Sequence, residues 1–141
     1  MKEKVLISAC LIGLNCKYNG KNNYNEELIN RLKEKYDLVP VCPEIMGGLQ
    51  TPREPAEIKN GKVINKEGKD VTAYFKLGAD ETLKVADLFK ANKAILKSKS
   101  PSCGKGKIYD GTFTGKLVKG NGITTDLLLD HEIEVISSEE I

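Results

Sequence analysis

The sequence has no tryptophan, a single histidine and few aromatic residues, 6% in all. It therefore shows no evident platform for stacking a series of unpaired bases. It also lacks an excess of charge: Lys and Arg number 22, Asp and Glu 20, for a net charge of +2. Bulk electrostatics of that kind does not point to nucleic acid. No apolar run approaches the ~18 residues of a membrane span. Ile7-Ser8-Ala9-Cys10 has the look of a lipoprotein cleavage box. The residues before Cys10 are too few, however, for a charged region plus an apolar stretch of ~7–15 residues. The expectation is a cytoplasmic protein with reduced thiols, in which four cysteines point to metal binding or catalysis rather than to a disulfide framework. Their spacing, C-x5-C-x25-C-x60-C, contains no C-x2-C pair, so neither a zinc finger or ribbon nor the common ferredoxin patterns are matched.

What is present is an alternation of strand and helix patterns. At 141 residues, 40% hydrophobic and 30% charged, the chain is read as one globular domain over residues 1–141. Val5 to Ala9 reads as a first strand. Asn25 can cap a helix with Glu26 and Glu27 in its first turn and an apolar face of Leu28, Ile29, Leu32 and Tyr36. Asp37 to Val41 reads as a second strand, whose Pro40 suggests a sheet edge or a strand end. Residues 43–55, rich in proline and glycine, are expected to form a fixed loop rather than a helix. Asn60-Gly61 predicts a small hairpin near 56–66. A long helix is expected from Asp70 to near Asn92, with Tyr74, Leu77, Val85, Leu88 and Phe89 on its apolar stripe and Gly78 at a close approach to the sheet. Ala94 to Leu96 is the next strand, Ile108 to Gly122 an irregular stretch, Thr125 to Asp130 a short helix and Ile133 to Ile136 the last strand. The fold class is α/β, with a mostly parallel, open, Rossmann-like sheet.

Cys10, Cys42 and Cys103 each follow one of these strand runs and precede turn residues. If the strands lie parallel in one sheet, their carboxyl ends share one edge, where such sheets place ligands. Three thiols from distant segments would then converge. A buried, inert cysteine is the alternative at each position. Three thiolates suit a soft metal. Zinc wants a fourth ligand, and His131 in Asp130-His131-Glu132 reads better as an exposed loop residue. An iron–sulfur cluster on three cysteines leaves one iron open as a Lewis acid.

Glu44, two residues after Cys42, and Ser100, three before Cys103, are candidate proton-transfer groups. The alternatives are a solvated or Arg-paired Glu44 and a turn-capping Ser100. Arg53, between Pro52 and Pro55, could orient a substrate carbonyl or anion, or pair with a nearby Glu. Lys97, Lys99, Lys105 and Lys107 flank Cys103, either to balance an anionic cluster or as a solvated basic loop. Gly111 to Lys116 falls one residue short of a phosphate loop, and Leu117 stands where Ser or Thr would hold magnesium.

Ser8-Ala9-Cys10-Leu11-Ile12-Gly13 with Cys16, Val41-Cys42-Pro43-Glu44, Thr51-Pro52-Arg53-Glu54-Pro55-Ala56-Glu57-Ile58 and Lys99-Ser100-Pro101-Ser102-Cys103-Gly104 together resemble the thiouracil desulfidase family, from about Lys4 to Ile136. The resemblance implies a [4Fe-4S] cluster on Cys10, Cys42 and Cys103, with Cys16 outside the ligand set. It also implies Glu44 and Ser100 as catalytic residues and a small thiolated pyrimidine as substrate. The sulfur would sit on the open iron and be replaced by oxygen from water, with sulfide released and no electron donor needed. The alternatives are a non-catalytic metal- or cluster-binding protein, a thiol-redox enzyme using Cys10 and Cys16, and desulfuration of thiolated bases in tRNA.

Overall fold

The computed structural model describes residues 2–141. At its centre, β1 (Glu3–Ser8) lies between β2 (Tyr36–Val41) and β5 (Lys93–Leu96), with β8 (Glu134–Ser137) beyond β5 and every pairing parallel. Parallel neighbours need crossovers, and the helices supply them. The chain leaves β1 through α1 (Glu26–Lys35) to reach β2, then returns past β1 through α3 (Thr72–Phe89) to β5. Strand order thus reverses at β1. The carboxyl ends of β1 and β5 flank the crevice where an open α/β sheet accepts ligands.

Both faces of the sheet are covered, so its middle strand is apolar without alternation. Val5, Leu6 and Ile7 are all fully buried. Val5 and Ile7 pack with Leu28, Ile29 and Leu32 of α1. Leu6 packs on the other side with Ala86 of α3 and Leu128 of α4 (Ile123–Asp130). The Asn25 side chain accepts from the Leu28 N–H at 3.1 Å and caps α1. Pro40 sits on β2, an outer strand of the sheet, where a missing donor is tolerated. No helix among the described residues is long and apolar enough to cross a membrane.

The hairpin of β3 (Ala56–Lys59) and β4 (Lys62–Asn65) turns at Asn60-Gly61, both with positive φ, as a tight hairpin turn requires. Three sequence expectations are corrected. Pro43–Met46 forms a one-turn helix, α2, with Pro43 at its start, a position where proline costs nothing because its N–H would be unpaired anyway. The stretch 108–122 contains a second antiparallel hairpin, β6 (Lys107–Tyr109) with β7 (Leu117–Lys119). The third concerns α3, which buries Phe75, Gly78, Ala79, Thr82 and Ala86 and leaves Tyr74, Leu77, Leu88 and Phe89 exposed.

The physical reason for the inverted α3 stripe is close approach. Small residues let α2 lie almost backbone to backbone on α3, and a Cβ at Gly78 would run into the Pro43 carbonyl oxygen. Gly78 therefore packs on α2 rather than on the sheet. Buried Thr82 is satisfied locally, its hydroxyl donating to the Gly78 carbonyl at 2.7 Å. Gly78→Ala is expected to destabilise the protein by about 1–3 kcal/mol through this clash, read as a lowered midpoint in urea unfolding.

Candidate active site

The carboxyl ends of three strands build one site. Cys10 lies in the 3-10 turn Ala9–Ile12 after β1, Cys42 follows β2 and opens α2, and Cys103 lies in the loop after β5. All three line a single cavity of about 590 Å³, together with Cys16, Glu44, Arg53, Ser100 and Ser102.

The Cys103 loop is held by the helix that follows it. The first N–H groups of a helix have no partner inside the helix. In α4 the Ile123 N–H donates to the Pro101 carbonyl at 2.8 Å and the Thr124 N–H to the Ser102 carbonyl at 2.9 Å. The Thr125 hydroxyl donates to the Cys103 carbonyl at 2.8 Å. Ser100 Oγ accepts from the Cys103 N–H at 2.8 Å, so its capping role is realised. Its hydroxyl also lies 3.4 Å from Ser102 Oγ.

The four thiols are not equivalent. The Cys16 thiol lies beside those of Cys10 and Cys42, and its proximity draws the Cys10 pKa down to about 6 and Cys42 to about 7. Burial opposes both shifts. The Asn23 amide, donating to Cys10 Sγ at 3.4 Å, and the nearby Lys97 and Lys17 further favour the Cys10 thiolate. For Cys42 the Ile45 backbone N–H and Arg53 act in the same direction. Cys16, whose single proton lies between two neighbouring thiols, is held protonated well above the usual thiol range. Burial pushes Cys103 up to about 12, with the nearby Ser8 hydroxyl acting in the opposite direction.

Opposing these thiols is a buried ion pair. Arg53 Nε and Nη2 both donate to Glu44 Oε1, at 3.2 and 3.1 Å. The remaining guanidinium hydrogens go to the Cys16 carbonyl at 3.0 Å, the Gln50 carbonyl at 3.2 Å and Thr51 Oγ1 at 2.9 Å. A guanidinium has five N–H donors, and the protein uses all of them. The ion pair with Glu44 expected as the alternative for Arg53 is present, and Arg53 also lines the cavity.

The other oxygen of the carboxylate, Glu44 Oε2, accepts from the Ser102 hydroxyl at 2.8 Å. That hydroxyl is also 3.6 Å from Cys103 Sγ, but it has one proton and the shorter, charge-assisted contact takes it. Glu44 is therefore linked to Ser102 directly and to Ser100 only through it. Ser102 and Asn23 are the residues that sequence reasoning missed. Ser102 stood inside the quoted motif, but spacing does not say which of its serines turns toward the carboxylate. Asn23 is one of several asparagines in a loop, with no signal of its own. His131 ends α4, exposed and outside the cavity lining. Lys97 and Lys99 line the cavity, with Lys97 half-buried and held below the usual lysine range by that burial. Lys105 pairs with Glu140 at 3.1 Å, and Lys107 is exposed in β6.

Among the described residues no three His, Cys, Asp or Glu side chains are arranged to hold a single metal ion. Sulfurs around one tetrahedral zinc stand only about 3.8 Å apart, given Zn–S bonds of ~2.3 Å, whereas a cubane cluster spreads its thiolates over a larger body. Three thiols from three segments, two of them drawn toward the thiolate form, are a donor set that fits a cluster.

The thiol order generates a prediction. Thiolates, not thiols, react with iodoacetamide. In metal-free protein at pH 7, Cys10 and Cys42 should alkylate first and Cys16 and Cys103 last, as mapped by peptide mass. Because their pKa values are depressed, Cys42 and Cys10 should keep reacting at neutral pH, and their alkylation rates should fall as the pH drops below about 7 and about 6 respectively.

The chain matches the family model described as 2-thiouracil desulfurase over residues 5–140. It is 43% identical to the uncharacterized protein YbbK of Bacillus subtilis (strain 168), over 97% of each chain. A solved structure described as the [4Fe-4S]-dependent thiouracil desulfidase TudS superposes with a TM-score of 0.93 at 40% identity, covering 99% of this chain and 93% of that one. The chain belongs to the 2-thiouracil desulfurase family.

Proposed function

We propose that the protein is a desulfidase that exchanges the sulfur of a thiolated pyrimidine such as thiouracil for oxygen from water and releases sulfide. Cys10, Cys42 and Cys103 would hold a [4Fe-4S] cluster. The observation that carries this reading is the meeting of those thiols with the Arg53–Glu44–Ser102 chain in one cavity. Family membership and the likeness to the solved [4Fe-4S]-dependent thiouracil desulfidase support it. The net reaction, thiocarbonyl plus water giving carbonyl plus hydrogen sulfide, balances without an oxidant or reductant.

When bound, a cluster with three cysteine ligands supplies one iron as Lewis acid toward the thiocarbonyl sulfur. The chain's own residues supply the proton path. Water that gives its proton to Ser102 Oγ passes charge to Glu44 Oε2 along the 2.8 Å hydrogen bond. Arg53 is a positioning residue: both of its bonds fall on Oε1, which leaves Oε2 to face Ser102. Ser100 lines the same cavity with its oxygen committed to the Cys103 N–H. Its hydroxyl proton is free to be donated to the substrate or to Ser102.

Anaerobic reconstitution with iron and sulfide, followed by a sulfide-release assay over a panel of thiolated bases, tests the reaction; no release from any of them sinks it. Cys10→Ser, Cys42→Ser and Cys103→Ser should each lose cluster iron and visible absorbance, and Cys16→Ser should keep them. Any of the first three that loads fully leaves the ligand set.

Glu44→Gln should load the cluster yet lose ~10²-fold or more of kcat per cluster, the size of a general-base contribution. Ser102→Ala should cost a comparable factor, and the double variant little more than either alone, because groups that act as one unit are not additive. Fully additive losses would break the proposed relay.

A further inference from the structure

We infer that Phe113 is the face on which the thiolated pyrimidine stacks and that Glu57 is the positioning residue that holds it there. This rests on the desulfidase reading above and names a substrate contact that the cysteines, Glu44 and the serines do not provide. The proton-transfer groups act at one atom of the base. A flat ring also has to be held in plane for that atom to be presented to them, and an aromatic face is the usual means.

Phe113 belongs to the tip of the β6–β7 hairpin, among Asp110, Gly111, Thr112, Thr114 and Gly115. That tip is polar, and Phe113 belongs to none of the three apolar clusters of the protein. Phe113 is half-buried and lines the cavity that contains the thiols. The backbone there has φ +58°, a left-handed conformation that is rare for a bulky side chain. A large apolar residue in a strained position, outside any core, is a feature that a purely structural role does not explain.

The loop is built to hold that position. Glu57 Oε1, on the other hairpin, accepts the N–H of Gly111 at 3.0 Å and of Phe113 at 3.1 Å. Asp110 Oδ1 accepts from the Thr112 N–H at 2.9 Å and from its hydroxyl at 2.6 Å. Gly111 lies so close to β3 that a Cβ would meet Lys59 and the Ile58 carbonyl. Two N–H groups converging on one carboxylate oxygen orient the peptide that carries the ring. The aromatic face is thus set in place before a ligand arrives, which reduces the ordering cost of binding.

The test uses reconstituted protein and 2-thiouracil, with binding read by equilibrium dialysis and turnover by sulfide release. Phe113→Gly removes the ring and accepts positive φ without strain, so the fold is not placed at risk. It should keep its cluster iron and lose none of its thermal stability, yet bind 2-thiouracil ~5- to 100-fold more weakly, the range of one base–aromatic stack. KM should rise with it while kcat changes little. Phe113→Trp should restore binding, and Phe113→Leu, apolar but without a ring, should not. Glu57→Ala should weaken binding, and Glu57→Gln, whose amide oxygen accepts the same two N–H groups, should recover it.

An unchanged dissociation constant in Phe113→Gly overturns the stacking assignment while leaving the reaction standing. Failure of wild-type protein to bind 2-thiouracil overturns it as well. Wild-type protein that binds 2-thiouracil through Phe113 but releases no sulfide from it or from any other thiolated base of the panel supports the stacking assignment and overturns the desulfidase reading instead.

Discussion

A carboxylate removed from water has to be met by positive charge and hydrogen bonds, or it will not stay ionised. Glu44 is met by Arg53, and the pair shapes the cavity around it. The Arg53 side chain is 9% exposed and that of Glu44 16%, so neither charge is left to solvent. Because the guanidinium also takes the carbonyls of Cys16 and Gln50 and the hydroxyl of Thr51, it ties the loop after β1 and the segment after α2 to the helix that carries Glu44. Those loops have backbone bonds of their own, and one side chain joins them to each other and to α2. Removing a partner of such a pair typically costs ~3–5 kcal/mol, which makes Arg53 as much a structural residue as a functional one.

The other half of the site is held by a helix end. The N–H groups that open α4 and the Thr125 hydroxyl bind the carbonyls of Pro101, Ser102 and Cys103. The loop that brings Cys103 to the cavity is thereby fixed through its backbone and the Ser100 cap, leaving the side chains of Ser102 and Cys103 free for the site. Ser102 is where the halves meet, with its oxygen between Glu44 Oε2 and Cys103 Sγ. Cys16 makes a second junction. Its thiol holds Cys10 and Cys42 toward the thiolate form, and its carbonyl receives Arg53.

Much of this was legible beforehand because it follows from local rules. Alternating strands and helices, the Asn25 cap, the Asn60-Gly61 turn and the edge position of Pro40 are all decided within a few residues of themselves. The arrival of Cys10, Cys42 and Cys103 at one edge follows from parallel strands whose carboxyl ends must point the same way. The motif residues Glu44, Arg53 and Ser100 do stand in the cavity.

What pattern alone could not decide was which surfaces touch. Large apolar residues mark a buried face only when nothing needs to come closer than they allow. On α3 the need was for α2 to approach at Gly78, so small residues took the core and Tyr74, Leu77 and Leu88 went outside. Likewise, sequence placed Ser100 and Glu44 in the same neighbourhood, while the choice of hydrogen-bond partner rests on directions that two independent backbones impose on each other. The five donors of Arg53 found five acceptors in segments far apart in the chain. Cys16, which the family resemblance left outside the ligand set, came to lie against two other thiols. The chain by itself determined the elements, their order and the chemistry available at the sheet's edge. Only the tertiary structure decided how that chemistry is paired, because pairing depends on distances between side chains that no local rule constrains.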